Sequence, residues 1–195
     1  MRINKKKFIY LISPNKIYPE FYQDLKKVLD TGKVGLFQLR LKKYSLKQKI
    51  VIGKKIQQIC KKNRVKFLVN DDPTLSKKLN ADGCHLGQKD MNIIEARKIV
   101  GSKIIGITCH NSINLAKGAI KRKADYIAFG AFFSTRTKKV EYRATTKILD
   151  KVKKLTNTPI VAIGGINFSN YKKLLLKNVN LLAISGYVWN NKKYK

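Results

Sequence analysis

Eight short apolar runs, most of them separated by stretches of helical spacing, constrain the fold of this chain more than any other feature. The runs are Phe8–Ile12, Val34–Leu39, Lys66–Val69, Gly83–Leu86, Ile104–Ile107, Tyr126–Phe129, Ile160–Ile163 and Leu181–Ile184. Each has strand length, is rich in β-branched or aromatic residues, and lacks clean alternation. Near-continuous apolarity is what strands of a parallel sheet need when both faces are buried. Between the runs, Tyr18–Leu29 places Phe21, Leu25, Val28 and Leu29 at helical spacing, and Leu46–Cys60 does so with Ile50, Val51, Ile56 and Ile59. Ile93–Val100, Ile113–Ile120, Thr145–Leu155 and Tyr171–Leu176 repeat the pattern, and Pro73–Leu79 carries a shorter, weaker version.

Strand alternating with helix implies βαβ units, and eight of them predict closure into a (β/α)₈ TIM barrel. A doubly wound open sheet is the competing arrangement. No G-x-G-x-x-G follows the first run, so the usual sign of a dinucleotide fold is missing. The chain has 195 residues, near the lower limit of about 200 for such barrels. A small barrel with short loops and trimmed helices is therefore expected. No composition shift or linker divides the chain, so residues 1–195 are read as one domain.

Composition narrows the setting. Lys and Arg number 43 against 11 Asp and Glu, for a net charge of +32. Such a balance attracts polyanions, among them nucleic acid, acidic lipid and phosphorylated metabolites. The lysines are scattered through every segment, which reads as a solvated surface rather than a binding arm. No zinc-finger, RRM or KH signature appears, so no specific nucleic-acid partner is expected. Cys60, Cys84 and Cys109 form no C-x-x-C pair, and a reducing compartment fits them. The N-terminal apolar run soon meets Pro14, Asn15 and Lys16, too early for a signal-peptide core. No run approaches 18 apolar residues, so no membrane partner is expected. The expectation is a soluble cytoplasmic protein, with oligomerisation left open.

In a parallel barrel the chemistry collects after the C-terminal ends of the strands. Run two ends in Gln38-Leu39-Arg40-Leu41-Lys42. Alternation turns Gln38, Arg40 and Lys42 to one side, where two cations and an amide suit a phosphate or diphosphate. Lys42 also reads as the start of a basic surface stretch with Lys43. Run three ends in Asn70-Asp71-Asp72-Pro73, and run four is followed by Gly87-Gln88-Lys89-Asp90. Asp72 before Pro73 is a good helix cap, which accounts for Asp72 and leaves Asp71 unexplained. Asp71 and Asp90 would top adjacent strands. Two carboxylates with open positions suit Mg²⁺, which takes its remaining ligands from water and substrate phosphate.

Run five ends in Gly106-Ile107-Thr108-Cys109-His110. Thr108 can donate to a phosphate oxygen. His110 is a general acid or base on one reading and a structural strand-end histidine on the commoner one. Nothing around Cys109 marks it as a nucleophile. Run six leads into Gly130 through Lys138, a hydroxyl-rich basic loop long enough to fold over a ligand. Runs seven and eight end in Ala162-Ile163-Gly164-Gly165 and Ala183-Ile184-Ser185-Gly186. Glycine ends there suit the phosphate site that the last two strands of these barrels often build, tight turns being the blander account. Two anionic pockets follow, suited to a reaction between a diphosphate and a monophosphate.

At these spacings Gln38-Leu39-Arg40-x-Lys42, Asn70-Asp71, Ala81-Asp82-Gly83-Cys84-His85-Leu86-Gly87-Gln88-Lys89-Asp90, Gly106 to His110, Ala124-Asp125-Tyr126 through Lys138, and Pro159 to Ile166 resemble the thiamine-phosphate synthase family. The motifs run in family order from residue 8 to about residue 187. That resemblance implies a transferase joining a hydroxymethylpyrimidine diphosphate to a thiazole phosphate, with pyrophosphate released. It implies that Gln38, Arg40, Lys42 and Asn70 bind the pyrimidine diphosphate, that Asp71 and Asp90 hold Mg²⁺, and that Thr108 and Lys138 contact the diphosphate. Arg40, Thr108 and Lys138 would be the catalytic groups. Thr135 and Thr137 would border the thiazole with Arg136 between them, and Gly164, Gly165, Ile184 and Ser185 would take its phosphate.

The chain departs from the family pattern in places. Thr108 stands for a usual Ser, Phe132-Phe133-Ser134 for a small-aliphatic-proline stretch, and Ser13-Pro14 for an acidic residue after the first strand. The nearest rival reading is the related thiazole tautomerase, which uses a His at the position of His110 and lacks the paired carboxylates. A nucleic-acid-binding protein on an inactive barrel is a remoter rival, suggested by charge alone.

Overall fold

The computed structural model describes residues 6–135 and 141–190. Eight parallel strands close into a barrel in chain order, with β1 pairing both β2 and β8. The strands are β1 (Ile9–Ile12), β2 (Val34–Leu39), β3 (Lys66–Asn70), β4 (Gly83–Leu86), β5 (Ile104–His110), β6 (Tyr126–Phe129), β7 (Ile160–Ile163) and β8 (Leu181–Ile184). The helices are α1 (Phe21–Asp30), α2 (Leu46–Lys62), α3 (Pro73–Lys78), α4 (Ile93–Val100), α5 (Ile113–Lys121), α6 (Thr146–Lys153), α7 (Tyr171–Leu175) and α8 (Gly186–Trp189). No helix of the described residues is long and apolar enough to cross a membrane.

Every expected strand forms, and its alternation explains the unbroken apolar runs. Leu11, Phe37, Leu39, Phe67 and Val69 face the helices, as do Cys84, Ile105, Ile127 and Ala162. Tyr10, Ile12, Leu36, Leu68, Tyr126, Ala128, Val161, Leu181 and Ala183 fill the barrel interior. Both faces are buried, so both parities must be apolar.

Most bounds agree with the sequence reading to within one or two residues, and two elements differ by three. The first helix begins at Phe21 instead of Tyr18, because Pro19 pushes the residue before it out of the helical region. Strand β5 runs on to His110, with a register shift between Thr108 and His110. Short loops hold for most connections, but β6 and α6 are separated by residues 130–145, of which 136–140 lie outside the described residues. That loop is closed at its roots, where Ala131 N–H donates to Tyr142 O and Ala144 N–H to Ala131 O, at 2.9 Å each. Phe132 and Phe133 pack beneath it on the helix-side core.

At the bottom of the barrel, three residues one step ahead of a strand hold the start of the strand before it. Asp82 accepts from Phe67 N–H at 2.9 Å, Asp125 from Ile105 N–H at 2.9 Å, and Asn180 from Ile160 N–H at 2.8 Å. Each returns its own N–H to the carbonyl of that same strand residue. Strand ends carry unpaired amides, and this device satisfies three of them. Lys66 and Arg97 complete the two carboxylates at 2.8 and 2.7 Å.

Candidate active site

The top of the barrel opens into a cavity of about 1240 Å³, above the roughly 300–1,000 Å³ of ordinary single-ligand pockets. Its wall includes Gln38, Arg40, Lys42, Asn70, Asp71 and Asp90 on one side, with Thr108 and Thr135 next. Gly164, Gly165, Ile184 and Ser185 line the other side. Every expected site residue that is described therefore reaches one cavity. Arg136, Thr137 and Lys138 lie outside the described residues.

The local chemistry explains how each is held. Gln38 is buried and Arg40 half-buried, as alternation along β2 requires. Ser13, buried after β1, accepts from Arg40 N–H at 2.8 Å, so a hydroxyl fixes the backbone at this cation. Arg40 Nη1 donates to Asn15 Oδ1 at 2.6 Å. Lys42 Nζ lies 3.4 Å from Asp71 Oδ2. Asp72 caps α3 by accepting from Leu75 N–H at 2.8 Å, with Pro73 at the first helical position. Asp71 just before it has φ +63°, a left-handed conformation that Asp tolerates better than most residues. Its N–H is tied to His85 O at 2.8 Å, which fixes where the carboxylate emerges.

The loop after β4 folds back so that Gly87 N–H donates to Asp90 Oδ2 at 2.7 Å. This sets the Asp90 carboxyl beside Asp71 on the cavity wall. The Asp90 carboxyl is pushed up from the ordinary value, first by burial and then by the hydrogen bond and negative charge of Asp71, while Gly87 N–H and Lys42 pull the other way. Two carboxyl groups side by side on a cavity wall repel when both are ionised, and a bound cation or a shared proton relieves that repulsion. Among the described residues, no group of three or more His, Cys, Asp or Glu gathers that could hold a metal. A pair of carboxylates with open positions is the donor set of an oxygen-seeking cation that keeps water and substrate ligands.

On the far side, Gly165 has φ +63°, and a Cβ there would sit 2.2 Å from Ser134 O. Phe132 N–H donates to Ile163 O at 3.1 Å and Phe133 N–H to Gly164 O at 3.0 Å. The glycines thus let the β6–α6 loop press against β7, a packing demand that the sequence reading did not include. Ser185 Oγ donates to Ser13 O at 3.3 Å, which ties the top of β8 to β1. His110 also has a left-handed backbone and lies 4.3 Å, ring to ring, from Tyr142. Cys109 is buried toward the helices, and burial pushes its thiol up to about 12, so it carries no nucleophile.

Sequence reasoning gave no role to a polar chain in the barrel interior. Gln38 Nε2 donates to Tyr10 Oη at 2.6 Å, and Tyr10 Oη meets Tyr126 Oη at 2.8 Å. Tyr126 Oη meets His85 Nδ1 at 2.8 Å, and His85 Nε2 meets Thr108 Oγ1 at 2.9 Å. Burial pulls the His85 imidazole down to about 4 and keeps it neutral. The available signal was parity: Tyr10, His85 and Tyr126 are polar-tipped residues at inward positions of apolar strands.

Comparison with known proteins identifies the family. The family model described as thiamine monophosphate synthase matches residues 9–188. The thiamine-phosphate synthase of Pelagibacter ubique is 66% identical, covering 100% of this chain and 96% of that protein. Its counterpart from Erythrobacter litoralis is 40% identical over 93% of this chain and 88% of its own. Among solved structures, the thiamine phosphate pyrophosphorylase of Pyrococcus furiosus superposes with a TM-score of 0.86 at 28% identity, covering 97% of this chain and 91% of that one. The chain belongs to the thiamine-phosphate synthase family.

Proposed function

We propose that this chain joins an aminopyrimidine-methyl diphosphate to a thiazole phosphate, giving thiamine phosphate and pyrophosphate. The observation that carries the reading is the meeting of Asp71 and Asp90 at the mouth, beside Lys42. The two carboxylates fit Mg²⁺, which when bound would supply positive charge to the leaving diphosphate.

The remaining roles belong to the chain. Arg40 and Lys42 neutralise the diphosphate, and the Thr108 hydroxyl donates a hydrogen bond to it. Lys138, outside the described residues, is assigned to the same leaving group. The bond from the methylene carbon to the diphosphate oxygen breaks, and its electron pair leaves with the diphosphate. The thiazole nitrogen lone pair then forms the new C–N bond. No proton moves in that step, so the reaction needs charge stabilisation more than a base. A neutral, buried His85 agrees with this. Thr135, Arg136 and Thr137 are assigned to the thiazole, and Gly164, Gly165, Ile184 and Ser185 to its phosphate. The cavity volume suits two substrates bound together. Buried free thiols at Cys60, Cys84 and Cys109 suit a reducing compartment such as the cytoplasm.

The test is direct. The pure chain, incubated with both substrates and Mg²⁺, is expected to yield thiamine phosphate by mass and to stop when the metal is chelated. Thiamine phosphate formed at full rate without a divalent cation would remove the assigned metal site. No product under any condition would remove the function.

A further inference from the structure

The polar chain through the barrel is built at some cost to packing. A Cβ on Gly106 would lie 1.8 Å from the Tyr126 ring, so β5 gives up a side chain to admit that tyrosine. Tyr126 stacks on His85 at 5.6 Å and meets Tyr10 edge-on at 5.8 Å. An aliphatic interior would fill the same space without polar groups to satisfy. The two ends of the chain, Gln38 and Thr108, both line the cavity, while Tyr10 and Tyr126 are buried below it.

Counting donors from the Gln38 amide sets its polarity. Each hydroxyl has one proton, and a neutral imidazole has one N–H. Gln38 donates to Tyr10, so the Tyr10 proton passes to Tyr126 and the Tyr126 proton to His85 Nδ1. His85 then carries its proton on Nε2 and donates to Thr108. Thr108 then accepts from within, which leaves its own proton to point into the cavity it lines. The opposite polarity requires the Gln38 amide to turn over and consumes the Thr108 proton at His85. An anion accepts and does not donate, so an anionic ligand at Thr108 selects the first arrangement along the whole chain.

We propose that Gln38, Tyr10, Tyr126 and His85 form a one-way hydrogen-bond relay that holds the Thr108 hydroxyl proton toward the diphosphate of the substrate. His85 and Tyr126 act through Thr108 in this scheme and are positioning residues. The inference rests on the proposed function for the identity of the anion, and on the hydrogen-bond count for the polarity.

The chain has two histidines, so imidazole ¹⁵N spectra of the full protein are simple, and a His110→Gln variant assigns them. With Mg²⁺ and pyrophosphate present, His85 is expected in the Nε2–H form. An Nδ1–H form overturns the relay, and this readout does not depend on turnover or on any variant folding. Tyr126→Phe is expected to let the Nδ1–H form appear and to lower kcat about 10-fold, the worth of one hydrogen bond, with the thiazole KM unchanged. Thr108→Val should lose activity in the unmodified background. In the Tyr126→Phe background Thr108→Val should cost much less, because the hydroxyl is no longer held. Fully additive losses, or an unchanged kcat in Tyr126→Phe, would overturn the proposal. A chain that makes no thiamine phosphate strikes the proposed function, whereas the tautomer alone decides the relay polarity.

Discussion

The two ends of the barrel spend their aspartates in opposite ways. At the bottom, Asp82 and Asp125 each accept a strand N–H and pair with Lys66 or Arg97, so their charge is answered within the fold. At the top, Asp71 and Asp90 share one cavity wall with a single lysine, Lys42, 3.4 Å from Asp71, and Asp90 holds its proton more tightly than an ordinary carboxyl does. A chain with only 11 acidic residues places one pair where it steadies the sheet and another where it costs stability. Strain of the second kind persists where a ligand relieves it.

The largest expected effect breaks the top pair. Asp71→Asn or Asp90→Asn should lower kcat/KM at least about 100-fold, or roughly 2.7 kcal/mol, in an assay of pyrophosphate release, while the fold survives. The same variants sharpen the contrast in stability. The folded-state pKa of Asp90 is raised, so its contribution favours the fold below the unfolded-state value and is lost as pH rises through the folded one. At neutral pH the metal-free protein carries this penalty. Asp90→Asn should therefore melt slightly higher than the parent without metal, and added Mg²⁺ should raise the melting temperature of the parent alone. A variant that melts lower would place Asp90 among the structural carboxylates.

Asp125→Ala is the bottom counterpart. It leaves Ile105 N–H and Arg97 without their shared acceptor and should cost about 1–3 kcal/mol. At this chain length that is a fall in Tm of roughly 2–4 °C per kcal/mol, with kcat/KM of the folded protein intact. Lost activity at full stability would erase the distinction between the ends. Asp72→Ala tests a carboxylate that is near the site yet structural. It removes the α3 cap and should cost about 1 kcal/mol in denaturant melts, with Mg²⁺ affinity kept. The smallest effect is expected of Asp150→Ala, which opens an exposed ion pair with Lys177. Urea midpoints should place it within about 0.5 kcal/mol of the parent.

The strands were legible because burial on both faces leaves no room for polar residues, and that demand is written locally in each run. Asp71 and Asp90 were legible because adjacent strand tips must be neighbours once the barrel closes. The start of α1 was misplaced because helical spacing at Tyr18 carries no record of the clash with Pro19. The interior relay was not read, since Tyr10, His85 and Tyr126 are far apart in the chain and meet only across the closed barrel. The glycines after β7 were read as serving an anion. Their contacts with Ser134 and Ala131 depend on where the long β6–α6 loop lies, which no local pattern records.

That bracing of Gly164 and Gly165 against the neighbouring loop couples the two halves of the pocket mechanically. A side chain added at either glycine would shove the backbone of the adjacent segment and move Thr135 with it. Reshaping the proposed thiazole pocket therefore calls for redesigning both segments together, since a graft of one alone inherits a mismatched partner.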